Sequence, residues 1–254
     1  MSREAGNEAG VAWVGADGCP GGWVAVGVTT AGDLRSRVCP DVVALRAWAG
    51  AGALILIDIP IGLREDGSAG RDCDREARRL LRAPRAASVF TPPVRACLEE
   101  GNWAAANARS RRLTGRGLSR QAWNIARKIR EVDGWLRADP ERQRLLREAH
   151  PEVLFQALND GAPMRHPKRR SAGRRERLAV LARHAPDAPA FFEGERAVLR
   201  RAGAMADDLL DAMVCALAPW ASRGALATLP AEPEQDAAGL RMEIVYPLAA
   251  AVSG

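Results

Sequence analysis

Lysine and histidine are nearly missing from this 254-residue sequence, which holds two of the first and three of the second. His150, His166 and His184 are too few and too far apart for a histidine-rich metal centre. The five cysteines (Cys19, Cys39, Cys73, Cys97 and Cys215) are odd in number. No pair has the two-residue spacing of a zinc knuckle or a redox motif. Buried, idle thiols in a reducing compartment are the expectation. No apolar run approaches the roughly 18 uninterrupted residues of a membrane span. Residues 1–10 are small and polar, lack the apolar core of a secretory signal and are expected to form a loose tail. A cytoplasmic chain with no membrane partner follows as an expectation.

The chain does contain an ordinary globular balance, 47% hydrophobic and 27% charged, which excludes a disordered polymer. The formal charge of +6 is unevenly placed. Residues 64–130 carry 16 basic against 7 acidic side chains, whereas residues 1–63 and 202–254 are net acidic. A basic middle with acidic ends suits an enzyme that turns carboxylates on a phosphate-rich partner. It equally suits a GC-rich coding bias, because 35 of the 37 basic residues are arginine. Against that bias Lys128 and Lys168 stand out, since lysine offers a compact point charge that arginine does not copy.

Along the chain, Val11–Gly15, Trp23–Thr29 and Leu34–Val38 read as three strands joined by short turns, an antiparallel meander. Pro40 and Asp41 open a short helix, and Ala53–Ile57 is the continuous apolar run of a strand buried on both faces. Residues 64–147 are Arg-rich, mostly helical in pattern and without a convincing strand. Helices are expected over 71–82 and 119–137, separated by the segment SVFTPP (88–93). An exposed Arg-rich stretch (165–177) precedes further helices, the clearest being Met205–Trp220. The fold class is therefore α/β: one domain over 11–254, with a helical insertion at about 64–147.

Four aspartates are placed to carry chemistry. Asp17 follows the first strand, Asp58 ends the buried one, and Asp208 and Asp211 lie three apart on one helix face, bordered by Asp207. Converging carboxylates repel one another and need a cation to coexist. Hard oxygen donors suit Mg²⁺ or Mn²⁺, and two such ions about 3.5–4 Å apart stabilise both oxygens of a phosphodiester displacement. Singly, each acid has a plainer reading: Asp17 starts a turn, Asp58 ends a strand, and Asp207 and Asp208 suit a helix N-terminus.

Together, GADGCPGGW (15–23), IDIPIGL (57–63), RDCDREAR (71–78), SVFTPP (88–93), QAWNIARKIREVD (121–133), HPEVLF (150–155) and DDLLDA (207–212) are similar to a family of bacterial and archaeal predicted nucleases of unknown function, domain-of-unknown-function family four-twenty-nine. The core resembles that of ribonuclease H-like proteins, a mixed sheet of antiparallel meander plus parallel strands flanked by helices. In the Holliday-junction resolvase branch of those proteins a late helix supplies paired acids in a similar form. The resemblance implies a metal-dependent nuclease with Asp17, Asp58, Asp208 and Asp211 as metal ligands, Mg²⁺ or Mn²⁺ as cofactor and nucleic acid, DNA foremost, as partner. Glu152 is a further acid, as ligand or as general base, with a solvated acid near a strand or helix end as its plain alternative. Arg71, Arg78, Lys128 and Lys168 are candidates for holding a phosphate, although Arg78 also suits a structural ion pair. Glu131 and Asp133 are equally explained by helix-surface ion pairs. A homodimer stays open.

Two other functions compete. Asp17–Gly22 has the composition of a phosphate-cradling hairpin, as in actin-like ATP-binding phosphotransferases, but a second such hairpin is missing. A non-catalytic nucleic-acid or protein-binding module on the same fold is the other. Of the seven tryptophans, which offer base-stacking surfaces, most lie in apolar runs and Trp103 is the one expected to be exposed.

Overall fold

The computed structural model describes residues 10–248, so the expected tail lies, but for Gly10, outside the described residues. The chain opens with strands β1 (Val11–Cys19), β2 (Gly22–Thr29) and β3 (Leu34–Cys39), followed by helix α1 (Val42–Ala49) and strand β4 (Leu54–Ile57). A mostly helical stretch then runs through α2 (Asp72–Arg85), α3 (Trp103–Thr114), α4 (Arg120–Asn124) and α5 (Ala126–Arg137) to strand β5 (Leu146–Glu148). Helices α6 (Pro151–Leu158), α7 (Ser171–His184), α8 (Ala188–Arg201) and α9 (Ala206–Ala221) precede a small ribbon of β6 (Leu226–Leu229) and β7 (Ile244–Pro247).

Five strands form one open mixed sheet in the order β3-β2-β1-β4-β5. The meander pairs antiparallel, whereas β4 lies parallel to both β1 and β5. This is the α/β arrangement of meander plus parallel strands expected from the sequence. Strand β1 is longer than anticipated. It continues through Asp17 and Gly18 to Cys19, pairing with Val24, Trp23 and Gly22, so only Pro20 and Gly21 are left for the turn. Gly22 closes that turn at φ 126°, and a Cβ there would meet the Cys39 carbonyl at 2.1 Å.

Side-chain alternation along the strands divides the core in two. Val14, Ala16, Ile55 and Ile57 face α1 and α5, meeting Val42, Leu45, Ile129, Val132 and Leu136. Cys19, Val24, Val26 and Leu56 face the other way, towards α6–α9. Helix α9 carries apolar residues almost all round, the pattern of a helix with no solvent face, and it is buried continuously from Leu209 to Pro219. It lies directly on β1 because Gly15 has no side chain: a Cβ there would stand 2.0 Å from the Ala212 carbonyl oxygen.

The helical stretch is tied to the sheet by buried charge. Glu131 on α5 accepts from Trp23 Nε1 at 3.0 Å and from the Val42 amide at 2.6 Å. Arg95 pairs with Asp133 at 3.1 Å, and also with Glu65 and with Asp236 from the loop between β6 and β7. Asp236 further accepts from the Leu63 amide at 2.9 Å. All five cysteines are buried and free, as their spacing predicts.

Several local expectations are corrected. The expected helix over 119–137 is two, divided at Ile125, whereas the helix expected over 71–82 does lose its helical backbone at Arg82 and Ala83, before a further turn to Arg85. Strand β5 was missed within the stretch read as strand-free, since three residues carrying Arg147 and Glu148 show no apolar run. In the stretch read as exposed, Arg177 is fully buried against Glu152. Trp103 is half-buried, donating to the Leu118 carbonyl at 3.0 Å beneath Arg120.

Gly15→Ala should cost about 2–3 kcal/mol, because the added methyl meets helix backbone that has nowhere to go. Urea unfolding of the variant beside wild type measures it, and an unchanged midpoint would mean that α9 can ride over the sheet freely.

Candidate metal centre

The parallel register of β1 and β4 brings two acids together. Ala16 stands opposite Ile57, so the next residues, Asp17 and Asp58, come side by side at one end of the sheet. The Asp58 amide donates to the Ala16 carbonyl at 2.9 Å, which continues the ladder one step past β4. By alternation Asp17 shares the face of Gly15, and Asp58 that of Leu56, which is the face α9 covers. Asp211 comes down from α9 onto the same point. One carboxylate oxygen from each of Asp17, Asp58 and Asp211 lies within 4.8 Å of the other two.

Three carboxylates this close, with Asp211 buried and Asp17 and Asp58 half-buried, resist ionising together. Burial, followed by repulsion from Asp58 and Asp211, holds the Asp17 carboxyl well above the usual range. Burial and then Asp211 push Asp58 up to about 8. Burial raises Asp211 to about 6, and the pairing with Lys168 limits the rise. Lys168 forms an ion pair with Asp211 and is held protonated: burial opposes its charge, but Asp211 and Asp17 outweigh burial.

The cleft over these acids measures about 670 Å³ and is lined by Lys128, His150, Glu152 and Lys168 along with the three aspartates. Glu152 sits at the start of α6, where Pro151 takes the first position. One of its oxygens pairs with Arg177, while Oε2 is buried without a partner. Lys128 reaches the cleft from α5, donating to the Gly22 carbonyl, with its Nζ 4.5 Å from the centre of the Trp23 ring.

Of the acids singled out in the sequence, Asp208 falls outside the cluster. Its Oδ2 accepts from the Met205 amide at 2.8 Å, so it closes the N-terminus of α9, and neighbouring Asp207 pairs with Arg169 at 3.2 Å. Two of the four cationic candidates also lie elsewhere. Arg71 is buried between Asp74 and Glu148, at 2.5 and 2.7 Å, and braces α2 against β5. Arg78 donates to the Val89 carbonyl and the Thr91 hydroxyl. Glu131 and Asp133 have the structural roles described above. His150 was not anticipated, although it precedes Pro151 and Glu152 in HPEVLF. It lines the cleft with Nδ1 buried and unpartnered, and burial depresses its pKa, which favours the neutral ring.

The donor set fits a hard divalent cation. Three converging carboxylates and the unpartnered oxygen of Glu152 in the same cleft are oxygen ligands of the type Mg²⁺ and Mn²⁺ take.

Fold and site together define an α/β protein with a carboxylate cluster at one end of a mixed sheet. The family described as "Protein of unknown function (DUF429)" matches residues 15–235, and the chain belongs to it. No curated protein and no solved structure matches the chain.

The raised acids set a sign for the pH dependence without metal. Asp58 keeps its proton in the folded chain up to about pH 8, whereas unfolding returns it to an ordinary value of 3.8. The folded state therefore binds the extra proton, and stability should fall as pH rises from about 4 to about 8. Urea midpoints in EDTA across that window should fall more steeply for wild type than for Asp58→Asn. Added Mn²⁺ should recover the loss in wild type. Parallel slopes for the two proteins would mean that Asp58 is ionised throughout.

Proposed function

We propose that the protein is a metal-dependent phosphodiesterase, a nuclease built on a ribonuclease H-like core. The observation that carries this reading is the convergence of Asp17, Asp58 and Asp211, from two parallel strands and the helix laid across them, in a cleft with cationic walls. These residues would hold Mg²⁺ or Mn²⁺, with Glu152 as a further ligand or base. A divalent cation there supplies charge neutralisation at phosphoryl oxygens and makes water a better nucleophile.

The other tasks fall to the chain's own groups. Arg177 fixes Glu152 by one oxygen and leaves Oε2 to accept a proton from water in the cleft. Lys168 compensates Asp211 and stands where the negative charge of a phosphate would arrive. Lys128, with Arg85 and Arg169 on the same walls, gives a polyanion a positive approach.

The phosphotransferase alternative gains less support. The tip of the glycine hairpin, Pro20 and Gly21, is exposed, but the Ala202 carbonyl stands against it, 2.3 Å from where a Cβ on Gly21 would be. A carbonyl oxygen beside the hairpin repels a phosphate where a cradle would offer amide donors.

Cleavage of labelled branched DNA, single-stranded DNA and RNA–DNA hybrid in Mg²⁺ and Mn²⁺ tests the reading. Asp58→Asn and Asp211→Asn should each reduce the rate by at least about a hundredfold while remaining folded. A preparation that cuts none of these, or variants that cut as fast as wild type, would leave the binding-module reading ahead.

A further inference from the structure

Beside the carboxylate cleft lies a second cavity of about 630 Å³, and Phe90 and Gln121 line both, so the two share a wall. Its lining includes Arg64, Arg71, Arg75, Arg78 and Arg116 and not one carboxylate. These arginines differ in what they already hold. Arg71 is clamped by Asp74 and Glu148, and Arg64 and Arg75 both approach Asp72, at 3.5 and 2.5 Å. Arg78 bonds to neutral oxygens alone, and Arg116 makes no ion pair among the described residues. At least two guanidinium charges therefore line the cavity without an anion.

The cavity is built rather than incidental. The Ser110 hydroxyl donates to the Arg116 carbonyl at 2.8 Å, fixing the loop that carries that arginine. Hydrogen bonds from Arg78 to Val89 and Thr91 fix the segment that carries Phe90 and Pro92. An aromatic ring and a proline beside uncompensated guanidiniums match the two halves of a nucleotide, base and phosphate.

We propose that this cavity is a second subsite of the nuclease. It takes one unpaired nucleotide of the substrate strand, its phosphodiester on Arg78 and Arg116 and its base or sugar against Phe90. The proposal rests on the nuclease reading and gives it a substrate class: nucleic acid unpaired next to the scissile phosphate. A strand serving both cavities must turn around Phe90 within a few nucleotides. A duplex, stiff over about 150 base pairs, does not make that turn, whereas a single strand does.

The test measures binding in EDTA by fluorescence anisotropy, with a labelled single-stranded oligonucleotide and the same strand annealed to its complement. Arg116→Ala removes an exposed side chain, so it leaves the fold unburdened. It should weaken single-strand binding about tenfold at low salt and lower the salt slope by about one, with little change for duplex. Arg78→Lys should weaken the single strand in the same direction. Arg116→Ala binding as tightly as wild type overturns the subsite, and equal losses on both probes overturn the unpaired-strand assignment. Equal affinity for 5′-phosphorylated and 5′-hydroxyl strands supports an internal phosphodiester. A strong preference for the phosphorylated end overturns that geometry in favour of a terminal phosphate. The two readings also fail separately. Selective binding that Arg116→Ala weakens, without cleavage in Mg²⁺ or Mn²⁺, leaves the subsite standing and removes the nuclease. Cleavage that needs Asp58, with a strand affinity that ignores Arg116, does the reverse.

Discussion

The contact between Gly15 and the backbone of α9 governs the geometry of this molecule. A sheet and a helix ordinarily meet through their side chains. Here a missing side chain lets α9 settle against β1 itself, with the Ala212 carbonyl where a Cβ would be. Asp211, the residue before Ala212, is thereby lowered to the level of Asp17 and Asp58. With α9 held further out, the three acids would be neighbours without forming a cluster, and their mutual repulsion would be spread through water.

That closeness has an electrostatic cost, and the surrounding residues offset it locally. Lys168 takes the charge of Asp211, and Arg177 takes one oxygen of Glu152. Asp17 and Asp58 have no such partner among the described ion pairs, and theirs are the acids pushed highest. A site that is poor in stability when empty is rich in affinity for a cation, because the same repulsion disappears on binding.

Much of the core of this arrangement was readable in the sequence. A continuous apolar strand ending in Asp58, an earlier strand ending near Asp17 and an apolar helix bearing Asp211 have few ways to assemble except with those acids together. Asp208 shows where such reasoning stops. Two acids three apart share a helix face, but the first also lies in the first turn of α9, and the free amide of Met205 claims it. Spacing alone does not separate those fates. Glu152 and Arg177 are 25 residues apart, and neither carries a local signal that they will be buried together. Strand β5 and the ribbon of β6 and β7 escaped notice for a related reason: three or four residues are too few for a periodicity to emerge.

The loop between β6 and β7 bears on the order in which the protein is made. Arg95 gathers acids from three separated parts of the chain, and one of them, Asp236, is synthesised 141 residues later. On a ribosome the early strands can pair and α1 and α5 can cover one face while Arg95 still lacks part of its complement. Asp211 likewise emerges long after Asp17 and Asp58 have been placed. A nascent chain thus carries its first two acids and most of its arginines well before the cleft is closed. The carboxylate cluster comes into being only once α9 has emerged.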